Sequence, residues 1–410
     1  MSELLASRSQ GKKLINNVLE IASEARKAKQ ANPSIINATA GMLLNDESKL
    51  CAFSSIMSIL EHQEISDKFA YATTEANAKF KNNILMMLLK KHYKEITEKM
   101  HCEVIPTPGG SGALSNTIHN YLNPGETLLI PDVGWGPYKL MAREYAVEVK
   151  TFNYLKDDKF DRDAFTKSLK MVAEKQKRVV FIINDPCHNP TGFSLDYSDY
   201  ENIIDEMNHY AEDGIPVVMV FDLAYLDFSI KDYQIKRDVF LLFTKLHKNA
   251  AIIACWSASK TFSLYGMRLG AQIFLGKDKA SAVSFLDANL FSARTKWSNI
   301  TQSGFTFIES LDKDNIKNFN LELETARLRL FGIGSKLYQE LLKTGYPIYP
   351  FKEGFFVMIK IAEPEQAFRK LKSAGIYTIP FPSGVRFSAS SVNPEEINGL
   401  SLRIKEILGG

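Results

Sequence analysis

The sequence is poor in cysteine and lacks any long hydrophobic run. Its four cysteines are widely scattered and form no CxxC pair or paired Cys/His spacing: Cys51, Cys102, Cys187 and Cys255. We therefore expect no disulfide framework, no structural zinc and no other metal. No apolar stretch approaches the length of about 20 residues that a membrane-spanning helix needs, and the N-terminus carries no continuous apolar segment of a secretion signal. These features predict a reduced, cytoplasmic protein without a membrane partner.

The chain also has little excess charge of either sign. Its 50 basic and 47 acidic side chains give a formal net charge of +3, and no basic block interleaved with aromatic residues occurs. Nucleic acid is therefore not an expected partner. Apolar residues make up 45% and charged residues 24% of the 410 residues. This usage is typical of a folded protein, and the length predicts two or three domains, or one large α/β domain with a smaller attachment.

Between about residues 100 and 280, short β-rich apolar runs alternate with longer amphipathic stretches. This alternation predicts an α/β fold with a mainly parallel sheet covered by helices. The predicted strands are 127–130, 179–183, 217–221, 251–255 and 271–275. Polar residues follow several of them, Asn184 and Asp222 directly and Ser257 after one further residue. Ligands of open α/β sheets bind at the carboxyl ends of the strands, so we expect the functional site there.

After about residue 310 the pattern changes to a long charged helical stretch, 315–342, a strand-like run, 354–361, and a short helix, 365–374. This pattern predicts a smaller α+β domain. We expect residues 313–410 to form it together with an N-terminal arm, residues 1–48. Residues 49–312 then form the large domain. No repeat or Pro/Gly-rich linker separates them, which predicts close packing.

The most informative stretch is SASKTFSLYGMRLG, residues 257–270. A lysine among small hydroxylated residues at a strand end can be desolvated and nucleophilic, and Lys260 has this setting. Arg268 supplies a cation suited to phosphate, and Ser257 can donate to the same group. A lysine taken alone is more often a surface residue. The whole segment, however, resembles the pyridoxal-phosphate attachment signature of class I and II aminotransferases, and it implies covalent attachment of that cofactor to Lys260.

Two upstream motifs extend the resemblance. DLAY, residues 222–225, resembles the D-x-x-Y of the family, in which Asp222 pairs with the ring nitrogen and Tyr225 donates to the phenolic oxygen of the cofactor. NDPCHNPTG, residues 184–192, resembles the N-P-x-N-P-T-G loop, where Asn189 is a second partner of that oxygen. Asn189-Pro190 is a candidate cis peptide. A helix-capping aspartate and an ordinary turn are the alternatives for these short motifs.

TPGGSGAL, residues 107–114, precedes an amphipathic stretch and resembles the glycine-rich phosphate-binding loop of the family. The resemblance places Gly109, Gly110 and Ser111 at the phosphate, with Gly109 where a serine hydroxyl is common. Trp135 matches the aromatic residue that stacks on the cofactor ring and contacts substrate, with a buried core tryptophan as the alternative. Tyr138 stands where aspartate aminotransferases usually have a histidine behind the ring aspartate.

Substrate recognition is expected from both ends of the chain. Arg386, in SGVRFS, resembles the carboxylate-binding arginine of the family, and NATAGMLLNDE, residues 37–47, resembles the segment in which a glycine, here Gly41, lies over the substrate. Tyr71 resembles the tyrosine that reaches the phosphate of the neighbouring subunit. Arg294, in RTKWSN, resembles the arginine that crosses the interface to a side-chain carboxylate, and an exposed helix residue is its alternative. Other expected pocket residues are Trp297, Phe355 and Phe356.

The resemblance spans about residues 35–390, points to the aspartate/aromatic branch, and implies a fold type I homodimer with shared active sites. Its large domain is expected to hold a mainly parallel seven-stranded sheet. The implied reaction moves an amino group between an L-amino acid (aspartate, glutamate or aromatic) and a 2-oxo acid such as 2-oxoglutarate. Lys260, Asp222 and Tyr225 are its expected catalytic residues. A β-lyase or decarboxylase on the same scaffold is the alternative within this cofactor class. A cofactor-sensing regulatory module is the alternative outside enzymology.

Overall fold

A computed structural model of the chain describes residues 4–14, 18–230 and 235–409. Within these residues no helix is long and apolar enough to cross a membrane. The strands are β1 Ile36–Asn37, β2 His101–Pro108, β3 Thr127–Pro131, β4 Glu148–Phe152, β5 Leu155–Lys156, β6 Lys159–Phe160, β7 Val179–Asn184, β8 Val217–Asp222, β9 Ala250–Ser257, β10 Leu269–Gly276, β11 Phe356–Lys360, β12 Ile376–Tyr377, β13 Ile379–Phe381 and β14 Gly384–Ser388.

The helices lie mainly between these strands, as expected for an α/β chain. They are α1 Val18–Ala31, α2 Ser54–Glu61, α3 Ile65–Phe69, α4 Ala78–Leu89, α5 Tyr93–Lys99, α6 Gly109–Tyr121, α7 Pro137–Glu144, α8 Arg162–Gln176, α9 Tyr197–Glu212, α10 Ile235–Leu242, α11 Ala258–Thr261, α12 Lys279–Lys296, α13 Gln302–Ser310, α14 Lys313–Leu342, α15 Pro364–Ser373 and α16 Leu400–Leu408.

In the described part of the chain, seven strands form the central sheet in the order β2-β10-β9-β8-β7-β3-β4. β10 runs antiparallel to both of its neighbours, and the other pairings are parallel. The expected α/β class and mainly parallel seven-stranded sheet are confirmed. All five predicted strands occur, but β2 and β4 were missed. β2 contains two prolines and pairs on one side only, where prolines are tolerated, and most of the side chains of edge strand β4 are exposed.

Apolar packing covers both faces of this sheet. Successive side chains of a strand point to opposite faces, and β7 shows this directly, because Phe181 and Ile183 lie in one apolar cluster and Val180 and Ile182 in the other. A strand buried on both faces has a nearly continuous apolar sequence. Polar side chains are therefore expected from the carboxyl end of such a strand onward.

A second, three-stranded sheet forms from β11, β14 and β13 in that order, all antiparallel. The N-terminal strand β1 pairs in parallel with β12, so residues from the two ends of the chain pack together. Arg386 lies in β14, opposite Met358 of β11 and Ile379 of β13. The division of the chain at residues 48 and 312 stays a prediction.

Candidate active site

The carboxyl ends of three neighbouring strands bring the polar residues together. Asn184 at the end of β7 pairs in register with Asp222 at the end of β8, and Asp222 with Cys255 near the end of β9. Nδ2 of the Asn184 side chain donates to the backbone carbonyl of Asp222 over 3.1 Å. β9 ends at Ser257, whose hydroxyl accepts from the Ser259 amide and starts α11, the short helix that carries Lys260.

Lys260 lies in a pocket that disfavours its charged form. Its Nζ atom is 5.6 Å from the centre of the Tyr225 ring and 5.5 Å from that of Tyr265. Burial lowers the pKa of Lys260 to about 8, with the Asp222 charge opposing this and the Arg268 and Arg386 charges adding to it. A substantial fraction of its amine is therefore neutral, and nucleophilic, near pH 8.

Asp222 has a hydrogen-bond donor on each carboxylate oxygen. The Tyr138 hydroxyl donates to Oδ2 over 2.5 Å, and the Ala224 amide donates to Oδ1 over 3.1 Å. Burial raises the pKa of Asp222, while the Tyr138 bond, the Ala224 bond and the Lys260 charge lower it. Burial also raises the pKa of Tyr138 well above its usual value, so the phenol stays protonated and remains a donor. Tyrosine thus makes the contact behind Asp222, and Trp135 packs edge-on against its ring with centroids 5.4 Å apart.

The glycine-rich loop forms a cradle against Arg268 and Ser257. Gly109 begins α6 with φ +73°, and a Cβ atom there would lie 2.5 Å from Nη2 of Arg268. A Cβ atom on Gly110 would lie 3.3 Å from that of Ser257. Gly109, Gly110 and Ser111 form the first turn of α6. The backbone N–H groups of such a turn lack helical partners and attract anions. Helix amides, a serine and an arginine are a donor set that fits a phosphate.

Arg386 is the buried cation of the second sheet. Its Nη1 donates to Asn189 Oδ1 and its Nη2 to the Thr39 carbonyl, each over 2.9 Å. Its Nε is buried without a hydrogen-bond partner, and the Phe356 ring covers the guanidinium at 4.1 Å. Burial lowers the pKa of Arg386 to about 10. A buried arginine with an unused donor is suited to an incoming carboxylate, because that anion supplies both the missing acceptor and the countercharge.

Tyr225 connects the two ends of the site. It is buried, burial raises its pKa, and the Arg386 charge opposes that rise. Its ring packs against Phe355 at 5.0 Å and Phe356 at 5.7 Å. A Cβ atom on Gly41 would lie 3.8 Å from its hydroxyl. The structure therefore brings the expected Gly41, Tyr225 and Arg386 to one place.

The expected cis peptide was placed wrongly. The cis bond in this loop is Asp185-Pro186, and Asn189-Pro190 is not cis. The loop is anchored by Asp185, whose carboxylate accepts from the Leu195 amide and the Tyr200 hydroxyl. The backbone N–H of Asn189 donates to Oδ1 of Asn184 over 2.9 Å, which holds Asn189 in place.

Tyr71 and Arg294 lie elsewhere on this chain. Both line an open surface cavity of about 900 Å³ that none of the Lys260, Asp222 or Arg386 side chains lines. Tyr71 is 93% exposed, and Arg294 is exposed and donates to Ser298. Trp297, like Trp135, packs against one apolar cluster of the central sheet, whereas Phe356, the ring that covers Arg386, belongs to the other cluster. Within a single chain, these residues do not join the site around Lys260.

The sequence did not predict three residues of the site: Thr39, whose carbonyl accepts from Arg386, Phe381, whose ring lies beside Arg386, and Tyr265, whose ring lies beside Lys260. The first acts through its backbone, which leaves no trace in residue type. Phe381 looks like any apolar strand residue. Tyr265 lies inside the lysine segment, five residues after Lys260, and was the one that the motif could have indicated.

The family of class I and II aminotransferases matches residues 33–404. The chain belongs to this family. The enzyme class and the cofactor expected from the sequence are thereby confirmed, since these aminotransferases depend on pyridoxal phosphate. The cradle, the buried carboxylate and the desolvated lysine described above fit that cofactor.

Individual relatives of this aminotransferase are distant. A tyrosine aminotransferase of Rhizobium meliloti is 26% identical over 342 residues, covering 81% of this chain and 82% of the relative. A mitochondrial aspartate aminotransferase of Saccharomyces cerevisiae is 25% identical over 278 residues, and this match spans 62% of this chain and 60% of the relative.

Among solved structures, an aminotransferase from Anaerococcus prevotii superposes with a TM-score of 0.93 at 27% identity, covering 98% of both chains. An aromatic-amino-acid aminotransferase from Burkholderia pseudomallei, described as covalently bound to pyridoxal phosphate, has a TM-score of 0.79 at 19% identity and covers 98% of this chain and all of the other. The latter likeness shows the fold alone. The fold type I architecture is therefore confirmed.

Proposed function

We propose that this aminotransferase moves an amino group between an L-amino acid, namely aspartate, glutamate or an aromatic amino acid, and a 2-oxo acid such as 2-oxoglutarate. One observation carries the proposal. Lys260 is desolvated where the charges of Asp222, Arg268 and Arg386 all act on it. A nucleophilic amine, an anion for a heterocycle and two cations for a phosphate and a carboxylate are what such a transfer requires.

Different residues would hold the phosphate, the ring and the phenolic oxygen of pyridoxal phosphate. Arg268, Ser257 and the first turn of α6 suit its phosphate, Asp222 its ring nitrogen, and Tyr225 and Asn189 its phenolic oxygen, with Trp135 against the ring. When bound, the cofactor joins amino groups through its aldehyde and withdraws electrons from the carbon that bears them. Two donors, from Tyr138 and Ala224, favour the ionised form of Asp222 that a cationic ring nitrogen needs.

Lys260 Nζ is the proton carrier in this proposal. Because burial brings its pKa to about 8, the amine is close to the operating pH, where a general base and acid is most effective. With pyridoxal phosphate bound, it would move a proton from the α-carbon of the amino donor to the carbon of the cofactor aldehyde. In the opposite half it would deliver a proton to the α-carbon of the acceptor. The nearby Tyr225 and Tyr265 rings restrict its position and exclude water.

Arg386 orients the substrate by binding its α-carboxylate. Nε is the donor still to be satisfied, and the Asn189 and Thr39 bonds fix the plane of the guanidinium. The Phe356 ring restricts access from one side. A carboxylate held in this way turns the α-carbon toward Lys260, and this orientation accounts for a large part of the rate in reactions of this kind.

A homodimer with shared sites is part of the proposal. Large apolar side chains are exposed in the chain segments that precede Tyr71 and Arg294, namely Ile65 at 78%, Phe69 at 80% and Phe291 at 73%. A contiguous patch of such side chains marks a protein–protein interface. A second copy that covered this face would bring its own Tyr71 and Arg294 to the site of its partner.

Mixing two inactive variants tests this sharing. Lys260→Ala and Arg294→Ala, each assayed with aspartate, are expected to be nearly inactive alone. Random mixing makes half of the dimers heterodimers. In each heterodimer one site combines an intact Lys260 with an intact Arg294 and the other site lacks both, so about a quarter of wild-type activity should return. No recovery after exchange of subunits would contradict shared sites.

The reaction itself is tested by its products. With glutamate or aspartate as donor and a second 2-oxo acid as acceptor, we expect stoichiometric formation of the new amino acid and the new 2-oxo acid, without ammonia. The lyase or decarboxylase alternative gives ammonia or carbon dioxide instead. Either product without amino transfer would overturn the proposal.

A further inference from the structure

A short segment of the N-terminal arm lies over the Arg386 site. We call residues 39–44 the substrate strap. On one side it is bonded to β14 and the residues after it: Arg386 donates to the Thr39 carbonyl over 2.9 Å, and the Ser388 and Ser390 hydroxyls donate to the Ala40 carbonyl over 2.6 and 3.2 Å. The strap thus supplies one of the two acceptors that fix the guanidinium of Arg386.

The strap is packed closely against the site at Gly41. A Cβ atom on Gly41 would lie 2.9 Å from the end of the Phe356 ring and 3.8 Å from the Tyr225 hydroxyl. Phe356 in turn stacks on Arg386 at 4.1 Å. A displacement of the strap would therefore disturb two contacts of Arg386: the one to the Thr39 carbonyl, which belongs to the strap, and the one to the Phe356 ring, against which Gly41 packs.

The strap is also held at Leu43, by a residue to which the mechanism assigns no contact with substrate. The Leu43 amide donates to the Tyr265 hydroxyl over 2.9 Å, and Leu43 is buried. The Tyr265 carbonyl accepts from Arg268 over 2.9 Å, and the Tyr265 ring lies 5.5 Å from Lys260 Nζ. One side chain thus connects the lysine segment with the strap.

The Tyr265 hydroxyl is available as an acceptor over the whole physiological range. Burial raises its pKa to about 12, with the Leu43 bond opposing the rise. Its bond to Leu43 therefore does not depend on pH near neutrality. An amide donor left without a partner in a buried position is unfavourable, which gives the strap a defined resting position.

We propose that Tyr265 is a positioning residue for the substrate, because its hydroxyl fixes Leu43 and with it the strap that aligns Arg386. The inference rests on the proposed function, in which Arg386 binds the substrate carboxylate. It adds a role for the Tyr265 hydroxyl that is separate from the contact of the Tyr265 ring with Lys260.

Tyr265→Phe in the holoenzyme tests the inference, because it keeps the ring beside Lys260 and the carbonyl that binds Arg268. We expect KM for L-glutamate, and Kd for the unreactive dicarboxylate succinate, to rise about 5- to 10-fold, the effect of one neutral hydrogen bond. The kcat value and the affinity for pyridoxal phosphate should stay within about twofold. Tyr210→Phe, the same chemical change at a buried tyrosine of α9, is the matched control and should change none of these values.

Ser390→Ala is a second variant, which removes a hydrogen bond to the Ala40 carbonyl of the strap. It should also weaken succinate binding several-fold without weakening cofactor binding. Unchanged succinate binding in Tyr265→Phe or in Ser390→Ala overturns the inference, and so does a parallel loss of cofactor affinity. Should Tyr265→Phe fail to fold, unchanged succinate binding in Ser390→Ala still overturns the inference, because the strap would then not align Arg386. A wild-type enzyme that neither transaminates glutamate nor binds succinate overturns the proposed function instead.

Discussion

Because Lys260 is buried, we expect its charge to lower the stability of the folded protein, an effect that can be measured without enzyme turnover. In the enzyme freed of its cofactor, the pKa of Lys260 is lowered from 10.5 to about 8 by burial. At about 1.4 kcal/mol for each pKa unit, the charged lysine destabilises the folded state by roughly 3 kcal/mol. Lys260→Met keeps the shape of the side chain and removes the charge. The variant without cofactor should therefore be more stable than the wild type at pH 7 by up to that amount.

The sign of this effect also fixes its pH dependence. The destabilisation is fully present below pH 8, where the lysine is charged in both the folded and unfolded states. It is relieved as pH rises from 8 toward 10.5, because only the unfolded chain still binds the proton in that window. The difference between variant and wild type should therefore shrink toward zero by about pH 10.5.

Urea unfolding of both proteins without cofactor, at equal concentration and at several pH values, measures the difference. Lys317→Met, at an exposed position of α14, is the control and should change stability little at any pH. A Lys260→Met protein that is no more stable than the wild type at pH 7 would refute the reasoning. A stability gain of the same size at pH 7 and pH 10 would refute it equally.

Three further predictions concern the site. Arg386→Lys keeps a charge but loses the planar donor set, so KM for the amino acid should rise about 100-fold while fluorescence titration finds unchanged cofactor affinity; equal KM values would contradict it. Tyr138→Phe removes a donor from buried Asp222, so cofactor affinity at neutral pH should fall about 10-fold, and unaltered affinity would argue against the Asp222 contact. Arg294→Ala, in a donor-by-acceptor screen, should reduce kcat/KM for aspartate far more than for phenylalanine, and equal losses would exclude side-chain recognition by Arg294.

The sequence predicted the parts of the fold that local pattern determines. Strands β7 and β8 were predicted within one residue of their ends, because burial on both faces makes such strands continuously apolar. The positions of Asn184 and Asp222 followed from these strand ends. The resemblance of residues 257–270 to the attachment signature then indicated Lys260.

Contacts made across the chain could not be predicted in this way. The bond from Tyr138 to Asp222 joins residues 84 positions apart, and the one from Arg386 to Thr39 joins residues 347 apart through a backbone carbonyl. The cis bond was assigned to the wrong proline because both Asp-Pro and Asn-Pro are turn sequences. Cytoplasmic localisation stays a prediction, and so do the roles of Tyr71 and Arg294, since they depend on a second chain.

The attachment of pyridoxal phosphate to Lys260 is tested most directly by mapping the covalent link. Reduction of the purified holoenzyme with borohydride, followed by proteolysis and mass spectrometry, should place the cofactor on the peptide that contains residues 257–268, at Lys260 alone. The visible absorbance should disappear in the same step, and Lys260→Ala should carry no such label. A cofactor found on another lysine, or a Lys260→Ala enzyme with equal absorbance and activity, would contradict the account.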